Sequence, residues 1–150
     1  MIETSTPVVV DVTVSVPPAD AWATFTADLG SWWPVAKHSI GEEKVAEVLM
    51  EGRAGGRVFE RWDNGEEYIW AEIVEWDEPT KLVLAWHPNP DRPQPTEIEL
   101  RFEPVAGGTK VTLEHRGWET LGDVAMEARE SYETGWPPVL ELFARRAGDR

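Results

Sequence analysis

The chain has 150 residues, no cysteine, and 14 basic against 28 acidic side chains, for a formal charge of −14. That length fits one ordinary domain, residues 1–150, with enough core to fold without covalent staples. The missing thiols exclude disulfides, zinc–thiolate sites and cysteine nucleophiles, and the acidic surface repels phosphate backbones and anionic lipid, so nucleic acid is not an expected partner.

Met1 to Pro7 shows no basic stretch followed by an apolar one, and no apolar run approaches the roughly 18 residues of a membrane helix. The expectation is a cytoplasmic protein without membrane insertion. Nine tryptophans are the unusual feature of the composition, since indoles dominate both cores and apolar ligand sites.

Val8 to Val16 alternates with period two and reads as a half-buried strand. Pro17-Pro18 ends it and opens a helix with Asp20 in its first turn and Trp22, Phe25 and Leu29 on one face. A second short helical turn over Asp28 to Trp33 stops at Pro34.

Strands follow at Lys44 to Met50, Arg57 to Trp62, Glu67 to Trp76 and Lys81 to His87, with a glycine turn at Gly52 to Gly56, a hairpin turn at Asn64-Gly65 and a proline turn at Pro79. His87 to Pro95 carries four prolines and reads as a stiff loop. Thr96 to Glu103 and Thr109 to Arg116 complete the strands, with Ile98, Leu100 and Phe102 on one parity and Val111, Leu113 and His115 on another.

Val124 to Arg146 carries an amphipathic stripe of Tyr132, Trp136, Val139, Leu140 and Phe143. Gly135 and Pro137-Pro138 predict a kink, or two helices meeting near Trp136. The order predicts an α+β domain: a curved antiparallel sheet wrapped around a long C-terminal helix, with two short helices after the first strand.

These elements resemble the START-like (SRPBCC) superfamily with its helix-grip fold, and more narrowly the bacterial homologues of the activator of heat-shock protein 90 ATPase. The resemblance rests on Pro18-Ala19-Asp20-Ala21-Trp22, Trp32-Trp33-Pro34, Gly55-Gly56-Arg57-Val58, Trp62-Asp63-Asn64-Gly65, Trp76-Asp77-Glu78-Pro79, Gly108 to His115 and Gly135-Trp136-Pro137. It implies a cavity between sheet and helix for lipids, polyketides or other apolar molecules. Chaperone contact is a further implication, although the namesake carries an additional N-terminal domain for which this length leaves no room.

No dinucleotide, P-loop or Gly-x-Ser-x-Gly pattern is present, and Ser39 beside His38 makes no triad. His38, His87 and His115 lack helical metal spacing, so neither a metal nor a cofactor is expected. His115 is expected on the inner face, as a hydrogen-bonded core histidine or as a polar anchor for a ligand. Glu60 and Glu72 are expected to face water, as acidic residues on antiparallel sheets do, with an inward, paired position beside His115 as the alternative where strand parity is ambiguous.

The residues expected to line the cavity are Trp22, Phe25, Trp33, Trp70, Trp86, Phe102, Leu113, His115, Tyr132 and Trp136, with a filled aromatic core as the alternative. The expected function is binding of a small, mostly apolar, lipid-like or polyketide-like ligand. A cyclase- or aromatase-type enzyme using a cavity histidine or glutamate, and a co-chaperone-like interaction protein, are the alternatives. No catalytic constellation is recognisable.

Overall fold

The structure is a computed structural model that describes residues 3, 5–91 and 93–149. Seven antiparallel strands form one curled sheet in the order β1-β7-β6-β5-β4-β3-β2. The strands are β1 (Val8–Val14), β2 (Val45–Met50), β3 (Arg57–Trp62), β4 (Glu67–Asp77), β5 (Lys81–Trp86), β6 (Thr96–Val105) and β7 (Gly108–Arg116). Consecutive strands from β2 to β7 are neighbours, and β1 closes the order on β7, with Val10 opposite Leu113.

Between β1 and β2 the chain crosses to the far edge of the sheet through α1 (Pro18–Phe25) and α2 (Leu29–Trp32). Proline at the start of α1 costs no hydrogen bond, because the first-turn amides have no helical acceptor. The long helix α3 (Ala125–Gly148) packs on β1, α1 and α2. The domain is the helix-grip α+β fold.

Period-two patterning decides which side chains enter the core. On β6, Thr96, Ile98, Leu100 and Phe102 are buried; on β7, Thr109, Val111, Leu113 and His115 are. Arg57, Arg61 and Arg116 bridge glutamates on the other side, which keeps that side wet.

Two features depart from the sequence expectation. Register shifts occur between Val45 and Glu47, Val58 and Phe59, and Ile73 and Glu75. An irregularity of this kind breaks strict alternation, and Val58, Phe59 and Glu60 are therefore buried in succession.

The second concerns α3: of the two expected forms, a kinked helix or two helices, the two-helix form is excluded, because Ala125–Gly148 is a single helix of 24 residues that does not divide at Trp136. Pro137 and Pro138 are exposed, as are Glu133 and Thr134, whose carbonyls lose their helical donors. The missing hydrogen bonds thus fall on the wet face, where water replaces them. Between β7 and α3 a 3₁₀ helix, Trp118–Val124, follows Gly117, whose φ of +88° suits only glycine at low cost.

Candidate functional site

The inward stripe of α3 has two halves. Toward its C-terminus, Val139, Leu140, Phe143 and Ala147 are buried against the core. Toward its N-terminus the same stripe carries Ala128, Ser131 and Gly135 alternating with Tyr132 and Trp136. The small residues cannot fill the concavity of the sheet, and a cavity of about 650 Å³ remains there. That size is ordinary for a small-molecule site, roughly 300–1,000 Å³.

Its walls are aromatic. Trp33 lies 5.1 Å from Trp70, 6.2 Å from Trp86 and 6.0 Å from Trp136, centroid to centroid. Trp70–Trp86 at 6.0 Å and Trp86–Trp136 at 5.9 Å complete a packed cluster of four indoles. Tyr132 stands beside it, stacked on Trp136 at 6.0 Å. Below the indoles only about 10 Å³ of space remains, among Phe25, Leu29, Leu113 and their neighbours, no more than about one water molecule needs.

Of the residues expected from sequence, Trp33, Trp70, Trp86, Tyr132 and Trp136 line the cavity. Phe25 and Leu113 border the closed space beneath it. Trp22 and Phe102 lie outside the lining, in edge-to-face contact at 5.1 Å within the filled core. His115 also lies outside the lining; it is fully buried behind the wall.

There His115 ties two walls together. The indole of Trp136 is donor-only, so Nδ1 of His115 accepts its N–H at 3.0 Å and the imidazole proton sits on Nε2. Nε2–H then donates to Oγ1 of Thr96 at 2.7 Å, and the Thr96 hydroxyl donates to the carbonyl of Trp86 at 3.3 Å. Burial pushes the pKa of His115 down to about 3 and keeps the ring neutral. The rings of Trp118 and Tyr132 pack against it at 4.1 and 4.7 Å.

Glu60 corrects a second expectation: its carboxylate is fully buried rather than solvated. One oxygen accepts the Trp70 indole and the Ile40 amide, both at 2.7 Å. The other accepts the Trp62 indole at 2.7 Å and the Gly41 amide at 2.8 Å. Four N–H donors offset the cost of removing a carboxylate from water. Glu72 faces water as expected and pairs with His87 at 2.7 Å.

The loops supply what sequence reasoning missed. Residues 34–41, held down by Glu60, bring His38, Ser39 and Ile40 to the cavity, and the proline-rich loop brings Pro88, Asn89 and Pro90. Glu127 and Ser131 reach it from α3. The loop contributions carry no periodic signal; the i, i+4 spacing of Glu127, Ser131 and Gly135 beside the Ala128–Tyr132–Trp136 row is the one pattern that marks this helical face.

The cavity's polar groups are few. The Oη of Tyr132 accepts the Trp86 indole N–H at 2.9 Å. Burial raises the Tyr132 pKa, against a smaller lowering by that hydrogen bond, so the phenol keeps its proton. Partial burial, with the neighbouring Lys37 charge, lowers the pKa of His38. Among the described residues no cluster of three or more His, Asp or Glu is placed to hold a metal ion, and no helix is long and apolar enough to cross a membrane.

A curled antiparallel sheet gripping a C-terminal helix, with an aromatic-walled cavity between them, defines a START-like helix-grip domain. Residues 15–148 match the family described as Activator of Hsp90 ATPase homolog 1-like protein, and the chain belongs to that family. No curated protein matches it.

Among solved structures, CalC from Micromonospora echinospora, a self-sacrificing resistance protein, is 27% identical with a TM-score of 0.73, covering 98% of this chain and 97% of its own. The anthrahydroquino-gamma-pyrone synthase Txn09 is 29% identical with a TM-score of 0.63, covering 97% and 99%. The Aha1 dimer from Colwellia psychrerythraea, 17% identical with a TM-score of 0.60 and covering 93% of each chain, shares the fold.

Proposed function

We propose that the protein binds a small, mostly apolar, polyketide-like aromatic molecule in the cavity between sheet and α3. The observation that carries this reading is the cluster of four packed indoles that faces about 650 Å³ of space left unfilled by the chain's own side chains. Flat rigid walls favour flat ligands, because ring stacking adds about 0.5–1.5 kcal/mol per pair beyond burial. Trp33, Trp70, Trp86, Tyr132 and Trp136 are the contact residues of this reading. His115 acts from behind, by orienting Trp136.

The test is a titration of polycyclic aromatics, flavonoids and fatty acids followed by tryptophan emission. Saturable quenching by the planar compounds below ~1 mM is expected, an affinity beyond about −4 kcal/mol. Absence of saturation across the panel overturns the reading, and the co-chaperone-like interaction protein takes its place.

A second reading, ring-closing chemistry on such a ligand, is supported by the 29% identity to a pyrone synthase. Tyr132, His38 and Glu127 are the proton-carrying groups that the cavity offers for it. Its test is turnover of a linear polyketone to a cyclised product, with loss of turnover in Tyr132→Phe or His38→Ala.

A further inference from the structure

The four indoles are sequence-tolerant walls: they stack on any flat molecule and select little. Selection falls to the few polar groups among them, and one of these is built differently from the rest. His38, Asn89, Ser131 and Glu127 are exposed at the cavity's edge, and the Ser39 hydroxyl donates to the Val35 carbonyl, whereas Tyr132 is half-buried and held from several sides.

His115 and Trp118 pack on its ring at 4.7 and 5.5 Å, and Trp136 stacks on it at 6.0 Å. The Trp86 indole N–H fixes its oxygen at 2.9 Å. That hydrogen bond uses a lone pair of the phenol and leaves its proton. Among the described residues no acceptor takes the proton, and Tyr132 lines the cavity with its ring fixed. A phenol proton that no side chain takes is available to a ligand acceptor in the cavity, and the pairing strengthens as the ligand displaces water from around it.

We propose that Tyr132 is the specificity-determining donor of this site and that the ligand is a planar aromatic compound bearing an exocyclic carbonyl oxygen, a ketone or quinone, which accepts the Tyr132 O–H. This rests on the binding reading above and narrows its ligand class. The preorganisation matters: a hydroxyl whose ring is already fixed loses little entropy on binding, so the hydrogen bond discriminates strongly. The indole of Trp86 sharpens it further, because a phenol oxygen that accepts a hydrogen bond becomes a stronger donor. His115 joins the arrangement indirectly, by holding Trp136, on which the phenol stacks.

The test compares xanthone with xanthene, which share a tricyclic skeleton and differ in the carbonyl. Binding is measured calorimetrically to the wild-type protein and to Tyr132→Phe, and the xanthone C=O stretch is recorded free and bound. Wild type is expected to bind xanthone about tenfold tighter than xanthene and to shift the carbonyl stretch to lower frequency. Tyr132→Phe is expected to bind the two compounds equally and to leave the carbonyl stretch unshifted.

Equal affinities for the two compounds in wild type, or an unshifted carbonyl stretch, overturn the proposal and leave the binding reading intact. A preference that survives Tyr132→Phe overturns it as well. Failure of both compounds to bind wild type overturns both readings. The wild-type comparison and the stretch need no variant, so a Tyr132→Phe protein that fails to fold leaves the proposal decided.

Discussion

One carboxylate oxygen of Glu60 takes the Trp70 indole N–H at 2.7 Å, and the same oxygen takes the Ile40 amide at the same distance. A cavity wall and the loop beside it thus hang on one buried atom. The other oxygen repeats the arrangement with Trp62 and Gly41. A Cβ on Gly41 would lie 2.4 Å from the Trp62 indole nitrogen, so the backbone must come this close for the clasp to form.

Glu60→Gln keeps the shape and removes an acceptor: its amide group meets N–H donors where an oxygen stood. The expected loss is about 3 kcal/mol, the range for breaking a buried charge-assisted network. Urea denaturation measures it, and hydrogen exchange at the Ile40 and Gly41 amides is expected to accelerate more than exchange in β6. A loss below ~1 kcal/mol would show that the carboxylate is solvated.

Trp136→Ala removes a buried indole and leaves Nδ1 of His115 without its donor. A cost of roughly 3–5 kcal/mol is expected, as for other large-to-small aromatic changes in cores. Trp136→Phe keeps most of the packing and loses the hydrogen bond, so about 1–2 kcal/mol is expected. Equal stabilities of the two variants in denaturant melts would contradict this ordering.

His115 makes stability pH-dependent. Its folded pKa, about 3, lies below the ordinary 6.5, so between these values the unfolded chain binds a proton that the folded chain does not. Its contribution is therefore complete above pH 6.5 and falls as the pH drops toward 3. From pH 6.5 to 5 wild type is expected to lose about 1.5 kcal/mol more than His115→Gln. His38 is common to both proteins and cancels. Parallel pH profiles for the two would place a solvated imidazole at this position.

A formal charge of −14 leaves the protein without a phosphate footprint. No mobility shift of micromolar duplex DNA or RNA is expected, even at low salt where electrostatic binding is strongest. A salt-sensitive shift would contradict the charge argument.

Local chemistry made most of the fold legible. Alternation in β1, β6 and β7 assigned strands and inner faces, because a strand's side chains point to opposite sides at every step. Asn64-Gly65 marked a hairpin, and the apolar stripe marked α3. His115 was legible as an inward residue by parity alone.

Glu60 was not, because the register shift at Val58/Phe59 breaks the alternation by which facing is read. The prolines of α3 left one helix or two open for a related reason: whether a missing amide costs a helix depends on whether water reaches the orphaned carbonyl, and only packing fixes that.

The sequence by itself determined the elements, their order and the supply of indoles, since these follow from local periodicity and composition. The tertiary structure decided which indoles face a void. Trp22 and Trp136 read alike in sequence, each on the apolar face of a helix. Trp22 meets Phe102 and Trp76 in a filled core, while Trp136 shares its helix face with Gly135, Ser131 and Ala128 and overlooks a cavity. Space between elements is set by what several distant segments leave unfilled together, and no single stretch of sequence encodes it.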